Sequence, residues 1–276
     1  MKKNVCFIWA LLVGFCLLTS CSDDDENSLP QTPLKIQKII GHAVSKGTSG
    51  EVFHITANYE ATYGKDGRLQ TLQDRRTGEE GNELNEFYDL QRGVMSNPAT
   101  GEERGTIEMD AQGRITALKI WKGEGADRRL RTAQAFTYNA EGFLETVEEY
   151  DTSAETETIA LRTRYEYQNG TAVRVADAFL ISGQWDEEVE TVEYTQTPNR
   201  NHLFMDKTMT LCIFVNAGLM GKCPYAYLPK KESDAEEDVY QLDDDGNVRR
   251  YIVAFGTPDE PPYFHSEEEF HYVGLD

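Results

Sequence analysis

The stretch Tyr138-Asn-Ala-Glu-Gly142-Phe-Leu144 indicates the fold of this chain. The Asn side chain can hydrogen-bond the backbone two residues further on, two unconstrained positions follow, and Gly142 tolerates a positive φ. A type I turn that is closed by a glycine bulge requires these residue types in this order. The stretch therefore predicts the tip of a β-hairpin, with one strand ending near Tyr138 and the next beginning near Leu144.

Four further stretches repeat this turn pattern. They are Tyr63-Gly-Lys-Asp-Gly67-Arg-Leu69, Met109-Asp-Ala-Gln-Gly113-Arg-Ile115, the shortened Tyr167-Gln-Asn-Gly170 and Leu242-Asp-Asp-Asp-Gly246-Asn-Val248. The flanking residues are rich in β-branched and aromatic types and partly alternate between apolar and polar. We therefore predict a mainly β fold, in which successive hairpins form a large antiparallel, curled or barrel-like sheet. Because the glycines are unevenly spaced, a strict repeat array is not expected.

One segment departs from the strand pattern. Apolar residues recur at helical spacing across residues 204–219, Asp206 can cap the start, and Gly218 or Gly221 can end the helix. We predict one short helix near residues 206–219 that packs its Met209, Leu211 and Val215 face on the sheet.

The first residues of the chain resemble an export signal. Lys2 and Lys3 precede an apolar run that is too short to span a bilayer comfortably, and residues 17–21, Leu-Leu-Thr-Ser-Cys, resemble a bacterial lipobox. In a lipobox the cysteine thiol receives a diacylglycerol and the cysteine becomes the new N-terminus. We therefore expect residues 1–20 to be a lipoprotein signal peptide and Cys21 to be the lipidated residue that holds the protein on a membrane.

An acidic run follows Cys21. Residues 22–27, Ser-Asp-Asp-Asp-Glu-Asn, resemble the tag with which some Gram-negative bacteria send lipoproteins to the outer face of the outer membrane; the alternative is a solvated tether without an address. We expect residues 21–34 to form an acidic, flexible tether and residues 35–276 to form a single antiparallel β domain. This domain would stand at the cell surface or, otherwise, at the periplasmic face of the outer membrane.

The composition narrows the choice of partners. The 276 residues carry a formal net charge of −21, and loss of Lys2 and Lys3 with the signal makes the mature chain more acidic. An acidic surface repels nucleic acid and anionic lipid. We therefore expect no nucleic-acid partner.

Two cysteines remain in the folded part, Cys212 and Cys223. An exported compartment would permit a disulfide between them, and a buried free thiol is the alternative. Because the chain contains no Cys-x-x-Cys, a redox motif and a zinc ribbon are excluded.

Several stretches between residues 35 and 276 carry a family resemblance. They are the phrase Tyr-x-x-x-Gly-Arg-Leu, Val192-Glu-Tyr-Thr-Gln-Thr-Pro-Asn199, Gly221-Lys222, Leu228-Pro229 and Val239-Tyr-Gln-Leu-Asp-Asp-Asp-Gly-Asn247. In this order they resemble bacterial lipoproteins that carry a domain of unknown function described as porin-like. The resemblance implies a large antiparallel, curled or barrel-like sheet. Charged residues within the predicted strands, such as Lys122, Glu149 and Glu190, would be costly on a lipid-facing wall, so the sheet need not be a pore.

Common catalytic signatures are missing from the sequence. It contains no Gly-x-Ser-x-Gly, no His-Glu-x-x-His, no phosphate-binding glycine loop and no dinucleotide fingerprint. A glycosidase, however, needs only two carboxylates at the right separation, and the chain has 48 acidic residues. We expect a non-catalytic protein without a cofactor, with a carbohydrate-active hydrolase that uses a carboxylate pair as the alternative.

Two acidic segments resemble metal sites without a complete ligand set. Asp243-Asp-Asp-Gly246 lacks the first and twelfth ligands of a calcium loop, so a plain turn is expected. On a strand, His265, Glu267, Glu269 and His271 would project from one face, but neighbouring ligands would lie about 6.6 Å apart. We therefore expect a solvated face in preference to a zinc or nickel site.

Two tryptophans are the remaining candidates for ligand binding. Trp185 lies in the polar stretch Ser182-Gly-Gln-Trp-Asp-Glu187, and Trp121 ends a predicted strand. An exposed Trp flanked by carboxylates and amides can grip sugar rings; the alternative is that both residues close the ends of the hydrophobic core. We expect an accessory protein that binds a glycan, a peptide or a partner protein, with a hydrolase and a structural envelope protein as the rivals.

Overall fold

The structure is a computed structural model of the chain. It describes residues 33–47, 51–78, 83–122, 128–151, 158–181, 183–205, 209–230, 237–257 and 260–275. The predicted signal peptide, Cys21 and almost all of the predicted tether lie outside these ranges. The described residues belong to one unit that spans Thr32–Asp276.

The described part of the chain contains seventeen strands and one α-helix. The strands are β1 (Ile36–Lys46), β2 (Val52–Tyr63), β3 (Leu69–Gly78), β4 (Glu83–Asp89), β5 (Val94–Ser96), β6 (Glu103–Met109), β7 (Ile115–Lys122), β8 (Arg129–Tyr138), β9 (Leu144–Asp151), β10 (Thr158–Gln168), β11 (Thr171–Ile181), β12 (Gln184–Thr191), β13 (Tyr194–Pro198), β14 (Tyr227–Pro229), β15 (Glu237–Leu242), β16 (Val248–Thr257) and β17 (Glu260–Tyr272). The helix α1 spans Met209–Asn216.

Fifteen of these strands form one antiparallel sheet. Its order runs from β12 back to β1 strand by strand and then continues through β17, β16 and β15, while β13 and β14 form a separate two-stranded ribbon. Neighbours in the chain are therefore neighbours in the sheet, as successive hairpins require. This confirms the predicted mainly β fold and its large antiparallel sheet. The sheet is open, with β12 and β15 as its two edge strands among the described residues.

The predicted glycine turns lie together at one end of the sheet, here called the turn end. Gly67, Gly113, Gly142 and Gly246 all have a positive φ, between 74° and 89°. At the quoted stretch, Asn139 Oδ1 accepts the backbone N–H groups of Glu141 and Phe143 at 3.0 Å. The bulge geometry is therefore confirmed at these four turns.

The shortened stretch differs from the other four turns. Both Asn169 and Gly170 have a positive φ, 53° and 76°. Two successive positive φ values are typical of a two-residue type I′ turn, and the register shift of this hairpin lies one pair further along, between Glu166 and Tyr167. The turn between β10 and β11 is thus tighter than the predicted bulged turn, because only Asn169 and Gly170 lie between the two strands.

One chain segment, residues 199–228, packs against the inner face of the sheet and is here called the inner segment. Its described residues contribute many buried side chains, among them Leu203, Phe204, Phe214 and Leu228. The Phe204 ring lies 6.1 Å from that of Tyr165 on β10, and the Phe214 ring lies 5.8 Å from that of Tyr88 on β4. The hydrophobic core therefore lies between the inner segment and one face of the sheet.

Helix α1 lies inside the predicted range, ends at Asn216 instead of residue 219 and is more deeply buried than expected, while the predicted cap Asp206 lies outside the described residues. All residues from Thr210 to Asn216 are buried, so the helix does not pack through a Met209, Leu211 and Val215 face alone. A helix that is apolar all round belongs inside a core. Gly218 ends it, because its N–H bonds Val215 O and the N–H of Leu219 bonds Phe214 O. No described helix has the length and apolarity needed to cross a membrane.

The sheet curls around the inner segment. From one side, the backbone N–H of Ala172 on β11 bonds Pro224 O at 2.8 Å. From the other side, Tyr240 on β15 donates its hydroxyl to Pro229 O, and Val248 N on β16 bonds Asn201 Oδ1. Strands from both margins of the sheet thus contact residues within or next to one short segment, which is possible only if the sheet is strongly curved.

A series of tyrosines, here called the tyrosine ladder, links consecutive hairpins at the turn end. Each donates its hydroxyl to a backbone carbonyl at the start of an earlier strand. Tyr63, Tyr138, Tyr167 and Tyr272 bond the first residue of the preceding strand, which is Ile36, Ile115, Leu144 and Val248 respectively, and Tyr194 bonds Ala172, the second residue of β11. Burial raises the pKa of Tyr63, Tyr138, Tyr167 and Tyr272 well above the ordinary range. The ladder therefore adds a side-chain hydrogen bond between strands at each of these positions.

Candidate binding surface at the sheet edge

The edge strand β12 is the most exposed element of the described sheet. It pairs with β11 along its whole length, from Arg174↔Thr191 to Ile181↔Gln184, without a register shift. All eight of its residues are exposed. Because no described strand pairs with its other side, half of its peptide N–H and C=O groups face solvent.

The outer side of β12 presents Trp185, whose side chain is 46% exposed. Trp185 pairs with Leu180 of β11. The guanidinium of Arg162 lies over the indole, 5.3 Å from the ring centroid, and is held there by an ion pair of 2.8 Å with Glu148. One face of the indole is thus covered by a fixed cation while much of the ring remains open.

The inner side of β12 presents a row of carboxylates. Asp186, Glu188 and Glu190 alternate along the strand and project from the same side. Beside them on β11, Phe179 and Ile181 are also exposed. We call β12 together with these two residues the edge surface. Within the described ranges, no ion pair forms with any of the three carboxylates, so they add an uncompensated negative charge to this surface.

The outer-side carboxylate of the same strand is compensated. Glu187 forms an ion pair with Arg164 of β10. Both side chains are about half exposed, so this pair contributes little to stability. Because Arg164 compensates the charge of Glu187, the uncompensated negative charge of β12 lies on the inner side of the strand.

The second predicted tryptophan lies elsewhere. Trp121 is on β7, where it is only partly exposed, and the guanidinium of Arg128 lies 4.7 Å from its ring centroid. Four strands separate β7 from β12 in the sheet. The structure therefore does not bring Trp121 and Trp185 into one site.

The four predicted weak metal ligands lie on the outer face of β17. His271 Nε2 is 3.3 Å from Glu269 Oε1, while Glu267 pairs with Arg250 of β16 at 3.0 Å. His265 projects from the same face, and Phe270 and Tyr272 are buried on the other, as predicted. Among the described residues, no group of three or more His, Cys, Asp or Glu could hold a metal ion.

The calcium-like stretch is a turn. Asp243 Oδ1 accepts the backbone N–H groups of Asp245 and Asn247, and Asp243 Oδ2 lies 3.0 Å from the Arg249 guanidinium. Burial alone would raise the pKa of Asp243, but the hydrogen bonds from Asn247 and Arg249 hold it below its ordinary value. The carboxylate is thus already satisfied by protein donors.

Cys212 and Cys223 are free thiols in the structure. Cys212 is buried in α1, and burial raises the pKa of Cys223 to about 12. A thiol with so high a pKa carries almost no thiolate and is a poor nucleophile.

Sequence reasoning missed a polar cluster inside the sheet. Asp74 of β3 is fully buried, and its carboxylate accepts the Arg76 guanidinium at 2.6 Å and the hydroxyl of Thr210 on α1 at 3.1 Å. Directly opposite, on β4, lies Glu86. The signal was present in the alternation of β3, where Asp74 follows Leu72 on the core side of the strand.

Glu86 is the second carboxylate of this cluster. It is buried, accepts the hydroxyl of Tyr88 at 2.9 Å and lies 3.9 Å from the Arg131 guanidinium. Burial raises the pKa of Glu86, and the hydrogen bond from Tyr88 offsets this only in part. Paired carboxylates with one raised pKa are typical of hydrolases, but a substrate cannot reach a buried pair. Because Thr210 of α1 donates its hydroxyl to Asp74, the cluster instead links the sheet to the start of α1.

A polar cleft of about 460 Å³ opens at the turn end. Asn139 and Glu141 of one hairpin, Glu145 at the start of β9, and Tyr167 and Gly170 of the next hairpin line it. The Tyr167 hydroxyl is already donated to Leu144 O at 2.5 Å. Two carboxylates, those of Glu141 and Glu145, thus line this open cleft.

Taken together, the fold is a large open antiparallel sheet curled around a buried segment. No protein-family model and no curated protein matches the chain. Among solved structures it is similar to a porin-like protein from Bacteroides uniformis ATCC 8492, with 17% identity, a TM-score of 0.55 and coverage of 87% of this chain and 99% of that chain. A porin-like protein from Bacteroides vulgatus ATCC 8482 gives 13% identity, a TM-score of 0.48 and coverage of 88% and 100%. The first similarity shows that the fold is porin-like.

Proposed function

We propose that this chain is a lipid-anchored protein of the bacterial envelope that binds a ligand through the edge surface and performs no chemistry on it. The observation that carries the proposal is β12, an eight-residue edge strand whose residues are all exposed and which presents a half-exposed Trp185. Exposed edge strands are a liability that proteins normally cover. An uncovered one that also displays an aromatic ring is typical of a binding surface.

The anchor supports this proposal. A diacylglycerol on Cys21 would hold the chain at a membrane, and the residues between Cys21 and Leu34 would reach at most ~43 Å when fully extended. The outer face of the sheet supports a domain that stands in water beyond the bilayer, because it carries ion pairs such as Arg174–Glu166 and Arg250–Glu267. An outer-membrane location at the cell surface is part of the proposal.

The anchor can be tested in cells. Expression of the full chain with a labelled fatty acid should yield a labelled protein, and Cys21→Ser should remove the label and release the protein from the membrane fraction. Protease added to intact cells should degrade the wild type if the domain faces outward. A Cys21→Ser protein that stays labelled would refute the anchor.

Binding can be tested on residues 34–276. We expect a thermal-shift screen against polysaccharides, mucin fragments, extended peptides and divalent ions to find a ligand class that raises the melting temperature. Trp185→Ala should reduce the shift, whereas Trp121→Ala serves as the matched control and should preserve it. If no class stabilises the domain, or if both variants behave alike, the edge surface is not the binding site and a structural envelope role is favoured.

A carbohydrate-active hydrolase is the rival that a specific observation favours, because Glu141 and Glu145 line one cleft. Each polysaccharide of the screen should therefore also be assayed for new reducing ends. A polysaccharide that stays intact supports the proposal of binding without catalysis. Cleavage that Glu141→Gln or Glu145→Gln abolishes would replace it with the hydrolase.

A further inference from the structure

Edge strands in stable proteins carry features that prevent pairing with another strand, and β12 has few of them. It is eight residues long, contains neither Pro nor Lys, and pairs with β11 without a bulge. Lysine, proline, bulges and short length are the usual protections. Strand addition is therefore open at β12.

Charge is the one protective feature that β12 retains, and it has a single sign. Asp186, Glu188 and Glu190 lie in one row, about 6.6 Å apart along the strand. Like charges on directly opposed strands are destabilising, and opposite charges are stabilising. The row thus rejects an acidic strand and favours a basic one.

A second copy of this chain does not fit the surface. Antiparallel pairing of two β12 strands through their inner sides would bring two such rows together and place carboxylates against carboxylates. The occupant must come from a different molecule with the opposite charge.

The outer side of β12 sets a second requirement for the strand that pairs with it. Trp185 and Val189 are exposed there on either side of Glu187, which is already paired with Arg164. An added strand would place its own outer residues beside the indole and the valine, where apolar or β-branched side chains pack well. The two sides of β12 therefore select an alternating pattern, with basic residues on one side and apolar or β-branched residues on the other.

We propose that the ligand of the edge surface is an extended peptide segment with Lys or Arg at alternate positions, which adds to β12 as a further strand. This inference rests on the proposed function, since it names the ligand class of the same surface. The peptide backbone supplies hydrogen bonds to the open side of β12, and its cations face Asp186, Glu188 and Glu190.

The test uses three synthetic peptides of about eight residues. The first alternates Lys with Val, the second alternates Glu with Val, and the third repeats the first with N-methylated amides at alternate positions, so that it keeps the charge and loses hydrogen-bond donors. With residues 34–276 we expect only the first to bind, and the affinity should fall by about tenfold or more when salt screens the charges. Equal binding of the N-methylated peptide would overturn strand addition.

Two variants matched in charge locate the site. Replacing Asp186, Glu188 and Glu190 together with Lys should abolish binding of the Lys peptide, whereas replacing the exposed Glu108, Asp244 and Asp245 with Lys should preserve it. Hydrogen exchange gives a readout that general electrostatic attraction does not produce, since the bound peptide should protect alternate amides of β12. Equal loss in both variants, or no protection of β12, would overturn the inference.

The failure of this inference is distinguishable from the failure of the proposed function. If the Lys peptide does not bind but a glycan stabilises the domain in a manner that depends on Trp185, the binding protein stands and the peptide class is wrong. If neither ligand binds, both proposals fail.

Discussion

The turn end and the edge strand β12 are both built from antiparallel strands, yet their backbone N–H and C=O groups differ in how they are hydrogen-bonded. At the turn end, Ala172 donates its N–H to Pro224 O of the inner segment and accepts the hydroxyl of Tyr194 with its carbonyl. Along β12, one side of the backbone meets no described strand. The comparison shows that the tertiary surroundings, and not strand chemistry, separate a structural margin of the sheet from one that is open to a ligand.

The largest expected loss of stability is for a substitution at Asp74, in the interior of the sheet. Asp74→Ala leaves the Arg76 guanidinium without its buried carboxylate, which should lower the free energy of unfolding by about 3–5 kcal/mol. Urea denaturation of residues 34–276 measures this. The control is Glu187→Ala on β12, which breaks an exposed pair and should cost about 0.5 kcal/mol. Equal losses would mean that the interior cluster is not better shielded than the edge.

The second largest expected loss of stability is for a substitution at Asn216, at the end of α1. Its side chain accepts Ile36 N at 2.9 Å and donates to Leu34 O at 2.9 Å and Asn201 O at 2.6 Å. Asn216→Ala leaves three backbone groups unsatisfied, so the free energy of unfolding should fall by about 3 kcal/mol. Asn216→Asp keeps the acceptor and should lose less. A harmless Asn216→Ala would contradict the role of the inner segment in fastening β1.

The tyrosine ladder should give a smaller loss. Tyr167→Phe removes one hydroxyl and its hydrogen bond to Leu144 O, which should cost about 1 kcal/mol. Tyr227, which is 45% exposed on the short strand β14, provides the control, and Tyr227→Phe should leave the denaturation midpoint unchanged. If Tyr167→Phe is equally neutral, the ladder is a consequence of the fold and does not stabilise it.

The dependence of stability on pH should have opposite signs at two carboxylates. Folding raises the pKa of Glu86 above its ordinary 4.5, so the folded state holds this proton more tightly and stability falls as the pH rises above 4.5. Folding lowers the pKa of Asp243 below 3.8, so its contribution is present above 3.8 and is lost as the pH falls below it. Denaturation series with Glu86→Gln and Asp243→Asn should each remove the corresponding slope. Unchanged slopes in the variants would refute the assignment.

The smallest expected effect on stability is at the edge surface. Trp185→Ala should change the free energy of unfolding by less than about 0.5 kcal/mol, because the side chain is half exposed and supports no buried group. The same variant should lose ligand binding. Calorimetric melting without a ligand measures the first outcome, and a large loss would show that Trp185 belongs to the core and not to a binding surface.

The turns could be predicted because their requirements are local. Asn139 and Gly142 supply the side-chain acceptor and the positive φ within five residues, and the structure places both in these roles. The helix was predicted less well, since spacing indicated an apolar face, whereas burial from Thr210 to Asn216 depends on strands that arrive from distant parts of the chain.

The edge surface could be predicted only in part. Trp185 was identified from its polar neighbours, but nothing in those neighbours indicated that β12 ends the sheet or that Arg162 covers the ring. The tyrosine ladder was also missed, because each hydroxyl meets a carbonyl 22 to 27 residues away in sequence. Such pairings depend on how the sheet curls, which local patterns do not encode.

The sequence by itself determined the turns, the antiparallel order of hairpins and the resemblance to a lipidated export signal, because each of these depends on residue types within a short window. Only the tertiary structure decided that β17 pairs with β1, that the inner segment packs on the curved face and that β12 is an edge strand of the described sheet. The physical reason is that burial and backbone pairing join residues far apart in the chain, and these contacts determine which polar groups are satisfied and which remain open to a partner.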